Sequence, residues 1–593
     1  MTSTHGQLSR VPDSVAGGDT SLPAALARWA RTQGDERAVA YLDYRVNPDG
    51  ELTALTWREL DARVDAVAAW CQKRADRGDR AAVLVEQGTD YVVAFLGALR
   101  AGLVAVPLFE PNPLPGHADR LAAVLADCDP ELVLTTRAHA DAVEAFLDER
   151  DLAGPLLIAV DVVPPAEDGP DPVELAPDDV AYLQYTSGST RTPAGVVITH
   201  GNVVANAAQG YEAYGCEQGS TTSVCWLPLF HDMGLVVGLA TPVLGGFPAL
   251  LLDPIAFVVR PQRWLEAISS TPGPAVSAAP NFAYGYVASR TSEEERAALR
   301  LDHVVSLGDG SEPVLSKTLD TFYAKFAPNG LDRSAHRHTY GLAEAVVMVS
   351  VSPLGVAPRE VTVDRARLAE GEAVLVEDGT VLVSAGRGAG GQHVRIADPT
   401  TGAALPDGRV GEIWASGPNV GQGYWGKEDS YEVFEAQLVN PDGSTVDPGF
   451  GRKGWLRTGD LGVQLDGDLF IAGRIKDLII VDGTNHYPQD IEHTVEHAHP
   501  AIRRHTVAAF SVPGETGELA VVVAERAKHV SAEELDIAEV AAAVKSAVSG
   551  EHALAVHEVI VLGPGEVPRT SSGKIQRSAC RARYAEGTLG SGA

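Results

Sequence analysis

The feature that most constrains this chain is an alternation of short apolar runs with segments of helical spacing. Ala81 to Val85, Gly102 to Leu108, Glu131 to Thr135, Leu156 to Val160 and Val180 to Tyr185 are brief and almost wholly apolar, so they read as strands covered on both faces. Helical stretches such as Asp90 to Arg100 lie between them. The pattern predicts parallel sheets sandwiched by helices, an α/β fold. From Glu372 to Leu469 the texture changes to short strands with Asp-Gly turns at 378, 407, 442 and 466, which predicts a mainly β subdomain. After Gly473-Arg474-Ile475-Lys476-Asp477, strands near Ile479 to Val481, Val507 to Val512, Leu519 to Ala524 and Glu558 to Leu562 predict a smaller α/β unit.

A chain of 593 residues, 45% hydrophobic, can build several cores. Its net charge of −32 excludes a sequence-independent nucleic-acid binder, because no positive field exists to displace phosphate counterions. Five cysteines, odd in number and scattered, fit reduced structural thiols and not a disulfide frame or zinc site. Residues 1 to 24 lack the basic start and apolar core of a secretory signal, so a cytoplasmic location is expected. The uncharged stretch Gly234 to Leu252 is long enough to suggest a membrane helix. Pro242, Gly245, Gly246 and Pro248 interrupt it, and a buried helix, turn and strand are expected instead, with no transmembrane segment.

Thr186, Ser187, Gly188, Ser189 and Thr190 follow the strand ending at Tyr185. Small hydroxylated residues and glycine there let backbone amides and hydroxyls converge on a polyphosphate. The run lacks the Lys before Ser or Thr of the nucleotide-triphosphatase loop, so it is a different phosphate loop.

Four further motifs follow in order: Tyr340-Gly341-Leu342-Ala343-Glu344, Arg457-Thr458-Gly459-Asp460, Gly473-Arg474-Ile475-Lys476-Asp477 and Pro568-Arg569-Thr570-Ser571-Ser572-Gly573-Lys574. Together with the phosphate loop they resemble the adenylate-forming enzymes, which include acyl-CoA synthetases, luciferases and peptide-synthetase adenylation domains. The resemblance covers about residues 25 to 583. It implies a large N-terminal domain over 1–475, with two α/β sheets plus the β-rich subdomain, and a small mobile α/β C-terminal lid over 476–593. It also implies ATP and Mg²⁺. Lys574 would place its ammonium on the carboxylate and α-phosphate, Glu344 would serve the metal as a hard oxygen ligand, and Tyr340 with Gly341 would receive adenine. Asp460 and Arg474 would hold the ribose, Gly310, Ser311, Glu312 and Pro313 would form the adenine-contacting loop, and Lys476 and Asp477 would be the hinge.

Finer details resemble the fatty-acyl-AMP ligases. Arg191 and Ala194 stand in the phosphate loop where CoA synthetases generally carry Gly and Lys. Trp226-Leu227-Pro228-Leu229-Phe230-His231-Asp232-Met233-Gly234-Leu235 and Ala279-Pro280-Asn281-Phe282-Ala283-Tyr284 match acyl-site motifs, and 485–492 matches a carboxy-terminal signature. An insertion near 353–378 occupies the place of the segment thought to restrict the arrangement CoA needs. The resemblance implies activation of a medium- or long-chain fatty acid and transfer to the phosphopantetheine of an acyl carrier protein. Trp226, Phe230, Asn281, Phe282 and Tyr284 would line the acyl site, with His231 near the carboxylate. Arg569, Lys574, Arg577, Arg581 and Arg583, with no acidic residue among them, form a basic strip suited to an acidic carrier. The alternatives are a long-chain acyl-CoA synthetase and an inactive acyl-binding or scaffold protein.

Overall fold

The computed structural model describes residues 18–111, 117–152, 154–165, 169–185, 193–481, 484–514, 517–569 and 574–589. Every apolar run singled out above forms a strand. Leu156–Ala159, Leu132–Thr135, Arg80–Val83, Val104–Pro107 and Val180–Tyr185 pair in parallel in that spatial order, and Gly195–Thr199 closes the sheet antiparallel. A second sheet has nine strands. Its parallel heart runs His336–Gly341, Val304–Gly310, Ala275–Pro280, Thr222–Cys225, Ala249–Leu252 and Arg37–Asp43. One apolar core joins both sheets. The helix Thr89–Arg100 shows why, since it is buried on every side from Tyr91 to Leu99, as a helix held between layers must be.

The stretch Gly234 to Leu252 resolves as expected into buried helix, turn and strand. Asp232–Leu235 is α-helical, Val236–Ala240 widens to a π-turn, Thr241–Gly245 returns to α, and Gly246 at φ 67° turns the chain into Ala249–Leu252. A Cβ on Gly246 would meet Trp29 at 2.5 Å. Among the described residues no helix is long and apolar enough to cross a membrane. All five cysteines are buried and unpaired.

The β-rich subdomain is a four-stranded antiparallel sheet of His393–Ala397, Gly411–Ser416, Leu456–Leu465 and Asp468–Arg474. Beside it Glu360–Val363 pairs with Thr380–Val383 in a hairpin enclosing the helix Arg365–Ala369, so that residues 353–378 supply the first strand and the helix. Val361, Val363 and Leu368 pack there with Leu461, Phe470 and Tyr487. The helix Arg365–Ala369 also touches the C-terminal unit: Tyr487 Oη donates to Leu368 O at 3.3 Å and Arg365 Nη1 to Glu551 O at 2.8 Å. That unit is a three-stranded sheet, Ile502–Pro513, Glu518–Arg526 and Val556–Leu562. Pro488–Ala498 and Ile537–His552 cover one face and Arg577–Ala585 the other.

Candidate active site

Parallel strands present their carboxyl ends to ligands, and two neighbouring strands, Val304–Gly310 and His336–Gly341, end in motifs read above. Gly310 and Gly341 are glycines by necessity. A Cβ would lie 2.4 Å from Thr339 O at the first and 1.4 Å from Val347 O at the second. Beyond Gly341 the chain makes a γ-turn at Val346 (φ 65°, ψ −64°), with Val347 N–H donating to Ala345 O at 2.8 Å. This is a costly conformation for a β-branched residue, and it tightens the turn that carries Glu344.

Tyr340 Oη donates to Asp460 Oδ2 at 2.8 Å, and Arg474 Nε lies 2.9 Å from Asp460 Oδ1. Asp460 and Arg474 are direct cross-strand partners, so the antiparallel register brings these two motifs together. Tyr424 Oη donates to Glu344 Oε1 at 2.7 Å, and burial pushes the Glu344 carboxyl up. Tyr424 lies on a segment zipped to the strand after the phosphate loop, through Val197 N to Gly423 O and Trp425 N to Gly195 O. Thr186 to Thr190, with Arg191, fall outside the described residues; their flanking strands pair at Tyr185 and Gly195.

Lys574 is half-buried, within electrostatic range of Asp232, Glu312 and Arg474. Burial pushes its ammonium below the ordinary value, against the upward pull of Asp232 and Glu312. Burial would raise Asp232, but the adjoining His231 ring, with Nδ1 at 2.6 Å from Asp232 Oδ1, and Lys574 outweigh it and hold the carboxyl low. Glu312 accepts from Phe282 N–H at 2.6 Å, and burial with nearby Asp309 pushes it up to about 7. Ser311, between these groups, has φ 68°. Pro313 is exposed.

Behind this cluster a pocket is lined by Tyr214, Met233, Val236, Val237, Thr241 and Met348, bordered by Asp232, Ser311 and Tyr340. None of the five residues expected at the acyl site lines it. Trp226 stacks on Phe257 at 3.8 Å, and Tyr284 meets Trp264 and Phe322 edge-on within the aromatic core. Phe230 packs against Phe109, Asn281 Nδ2 donates to buried Asp309 at 2.7 Å, and Phe282 is half-buried. The basic strip is also changed by folding: Arg577 is engaged by Glu492 and Asp477, and Arg569 donates to His505 O at 2.6 Å. Lys476 is exposed in the turn Ile475–Asp477.

Sequence reasoning assigned no role to Asp232 or Tyr424. Asp232 adjoins His231 inside a motif already singled out. Tyr424 follows Gly421 and Gly423, whose spacing was the available signal of close backbone approach.

The model of the AMP-binding enzyme family matches residues 26–425, and that of the Disco-interacting protein 2-like AMP domain matches 476–592. The chain is 42% identical to the long-chain-fatty-acid–AMP ligase FadD32 of Mycolicibacterium smegmatis, over 97% of this chain and 95% of that protein. It is 41% identical to the 4-hydroxyphenylalkanoate adenylyltransferase of Mycobacterium marinum, over 98% and 94%. A solved structure from work on the fatty acyl-adenylate ligases of E. coli and L. pneumophila superposes with a TM-score of 0.84 at 32% identity, covering 97% of this chain and 99% of that one. Matches that run along nearly the whole chain carry one conclusion: this chain belongs to the AMP-binding enzyme family, among its fatty-acyl-AMP ligases.

Proposed function

We propose that this protein joins a fatty acid to AMP, releasing pyrophosphate from ATP, and then passes the acyl group to the phosphopantetheine thiol of an acyl carrier protein. The observation that carries the reading is the convergence of Lys574, from the C-terminal unit, with Asp232 and Glu312 beside the Tyr340, Asp460 and Arg474 cluster. Attack of a carboxylate oxygen on the α-phosphorus forms one P–O bond, breaks the bond to pyrophosphate and gathers negative charge on the phosphoryl oxygens. Lys574 would meet that charge, and its attraction to Asp232 and Glu312 holds the side chain at the cleft while no substrate is bound. Asp460, now shared by Tyr340 and Arg474, would accept from the ribose hydroxyls. The narrow apolar pocket would take the acyl chain, each buried methylene contributing about 0.8 kcal/mol. His231, tied to Asp232, would orient the carboxylate at the pocket entrance.

Glu344 suits Mg²⁺: a carboxylate with one oxygen already oriented by Tyr424 is a hard ligand of fixed aim. Among the described residues no group of three His, Cys, Asp or Glu forms a complete metal cage, which fits an ion completed by phosphates and water. When bound, the ion supplies charge neutralisation on the phosphates. The thiol attack that follows requires Lys574 to withdraw, and the Lys476-Asp477 junction would be the pivot.

The test is fatty-acid-dependent exchange of labelled pyrophosphate into ATP, followed by mass detection of the product with CoA or with a phosphopantetheinylated carrier. Exchange with acylation of the carrier supports the proposal; rapid acyl-CoA formation assigns a CoA synthetase instead, and no exchange defeats it. A second reading, adenylation of an aryl-substituted acid, is favoured by the 41% identity to the 4-hydroxyphenylalkanoate adenylyltransferase. The same exchange with 4-hydroxyphenylalkanoates compares the two directly.

A further inference from the structure

Arg577 opens the last helix, three residues after Lys574, and its guanidinium is fully engaged. Nε and Nη2 each donate to a different oxygen of Glu492 at 2.6 Å, a two-pronged pairing, while Nη1 donates to Asp477 Oδ2 at 3.1 Å. Glu492 Oε1 also accepts from Ala509 N–H at 3.0 Å, fixing the carboxylate to the edge strand Ile502–Pro513 of the small unit. Asp477 belongs to the turn Ile475–Asp477, directly after Arg474. Asp477 also stabilises the charge of Arg474, and Arg474 pairs with Asp460. Five groups therefore alternate in sign from the nucleotide cleft to the last helix: Asp460, Arg474, Asp477, Arg577 and Glu492.

The lysine is tied to the same frame. Ile575 bridges Arg569, and Gln576 N–H donates to Pro568 O at 2.9 Å, so the segment carrying Lys574 is anchored at its base beside Arg577. Gln576 gives the first turn of the helix no side-chain cap, and Arg577, its first residue, ties that start to Glu492 and Asp477.

From this geometry we propose that Arg577 is a positioning residue for adenylation: by clamping the start of the last helix to Glu492 and to the junction residue Asp477, it sets the reach of Lys574 into the cleft. The inference deepens the function proposed above and rests on it. Arg577 acts through Lys574, its own side-chain partners being Glu492 and Asp477. Its contact with Asp477 couples the angle of the junction to the lysine, whereas its contact with Glu492 keeps the helix on the body of the small unit.

The experiment compares the full-length protein with Arg577→Lys, Arg577→Gln and Asp477→Asn, in pyrophosphate exchange at varied ATP and fatty acid, alongside thermal unfolding. Arg577→Gln should lower kcat by about 30-fold or more, with KM for both substrates within about threefold, because the cleft itself is intact. Arg577→Lys keeps the charge without the two-pronged geometry and should recover part of the loss. Asp477→Asn leaves the pairing with Glu492 in place, removes the carboxylate charge that Arg577 and Arg474 share at the junction, and should lower kcat in the same direction, by about tenfold, with an unchanged melting temperature. That variant keeps the idea testable if Arg577→Gln fails to fold. An unchanged kcat in Asp477→Asn, or a fall in kcat matched by an equal fall in melting temperature and rise in KM across the set, overturns the inference. Absence of exchange in the parent protein defeats the proposed function instead.

Discussion

At the scale of single residues, the cleft is a set of charges each held by a neighbour that arrives from far along the chain. Lys574→Ala removes the only cation that the C-terminal unit brings close to both Asp232 and Glu312 among the described residues. It should lower pyrophosphate exchange by about two orders of magnitude or more, while adenosine binding stays near the parent value. Tyr424→Phe deletes one hydroxyl and leaves Glu344 without its orienting donor. The Mg²⁺ concentration for half-maximal exchange should rise by about tenfold, with a matching loss in direct calorimetric titration of the nucleotide-bound protein. Lys574, Glu344, Asp460 and Arg474 could be singled out from the sequence because each sits in a local motif that resembles those of the adenylate-forming enzymes. Tyr424 could not, because its partner is 80 positions away, and Arg577 was assigned to a basic strip suited to an acidic carrier because Glu492 lies 85 positions upstream. Pairings over such distances are set by folding, and no local pattern records them.

At the scale of elements, the strands were legible for a simple reason: a strand buried on both faces must be apolar throughout, and such runs are rare outside sheets. The apolar pocket beside Asp232 was not. Trp226 and Tyr284 have the size and apolarity expected of lining groups, but the same properties suit an aromatic core, and that is where packing against Phe257, Trp264 and Phe322 puts them. The pocket instead borrows the π-turn Val236–Ala240, whose widened backbone has no clear sequence signature. The turn after His336–Gly341 yields a sharp prediction. Gly341→Ala drives a methyl group into the Val347 carbonyl, which the γ-turn at Val346 holds in place. The change should cost at least about 3 kcal/mol in chemical unfolding and displace Glu344, so the surviving folded protein should also show a raised Mg²⁺ requirement. Wild-type stability in that variant would show that the turn yields easily.

At the scale of the whole molecule, the site is a drain on stability. Glu312 is pushed up from 4.5 to about 7, chiefly by burial with Asp309 adding to it, while Lys574 and Arg569 pull the other way. A carboxyl raised in the fold contributes stability that is complete below its unfolded value and lost as pH rises through the folded one. Glu312→Gln should therefore gain on the parent protein by about 2 kcal/mol between pH 5 and pH 8. His336 and His338, held down to about 3 by burial, act in the opposite sense, so the difference between variant and parent isolates Glu312. Equal shifts of both proteins with pH would reject the assignment. Stability given up at a cleft is what a preorganised charged site requires, and the large core shared by the two sheets can carry that cost.

The row from Asp460 to Glu492 has a consequence for how such a protein can vary. In a string of alternating signs every interior member has opposite neighbours on both sides, so reversing one creates two repulsions at once. Reversing two adjacent members restores their mutual attraction yet still leaves a clash at each interior end. Drift along this line must therefore proceed by neutral replacements or by concerted inversion of all five positions, which makes the passage between the two units resistant to piecemeal change.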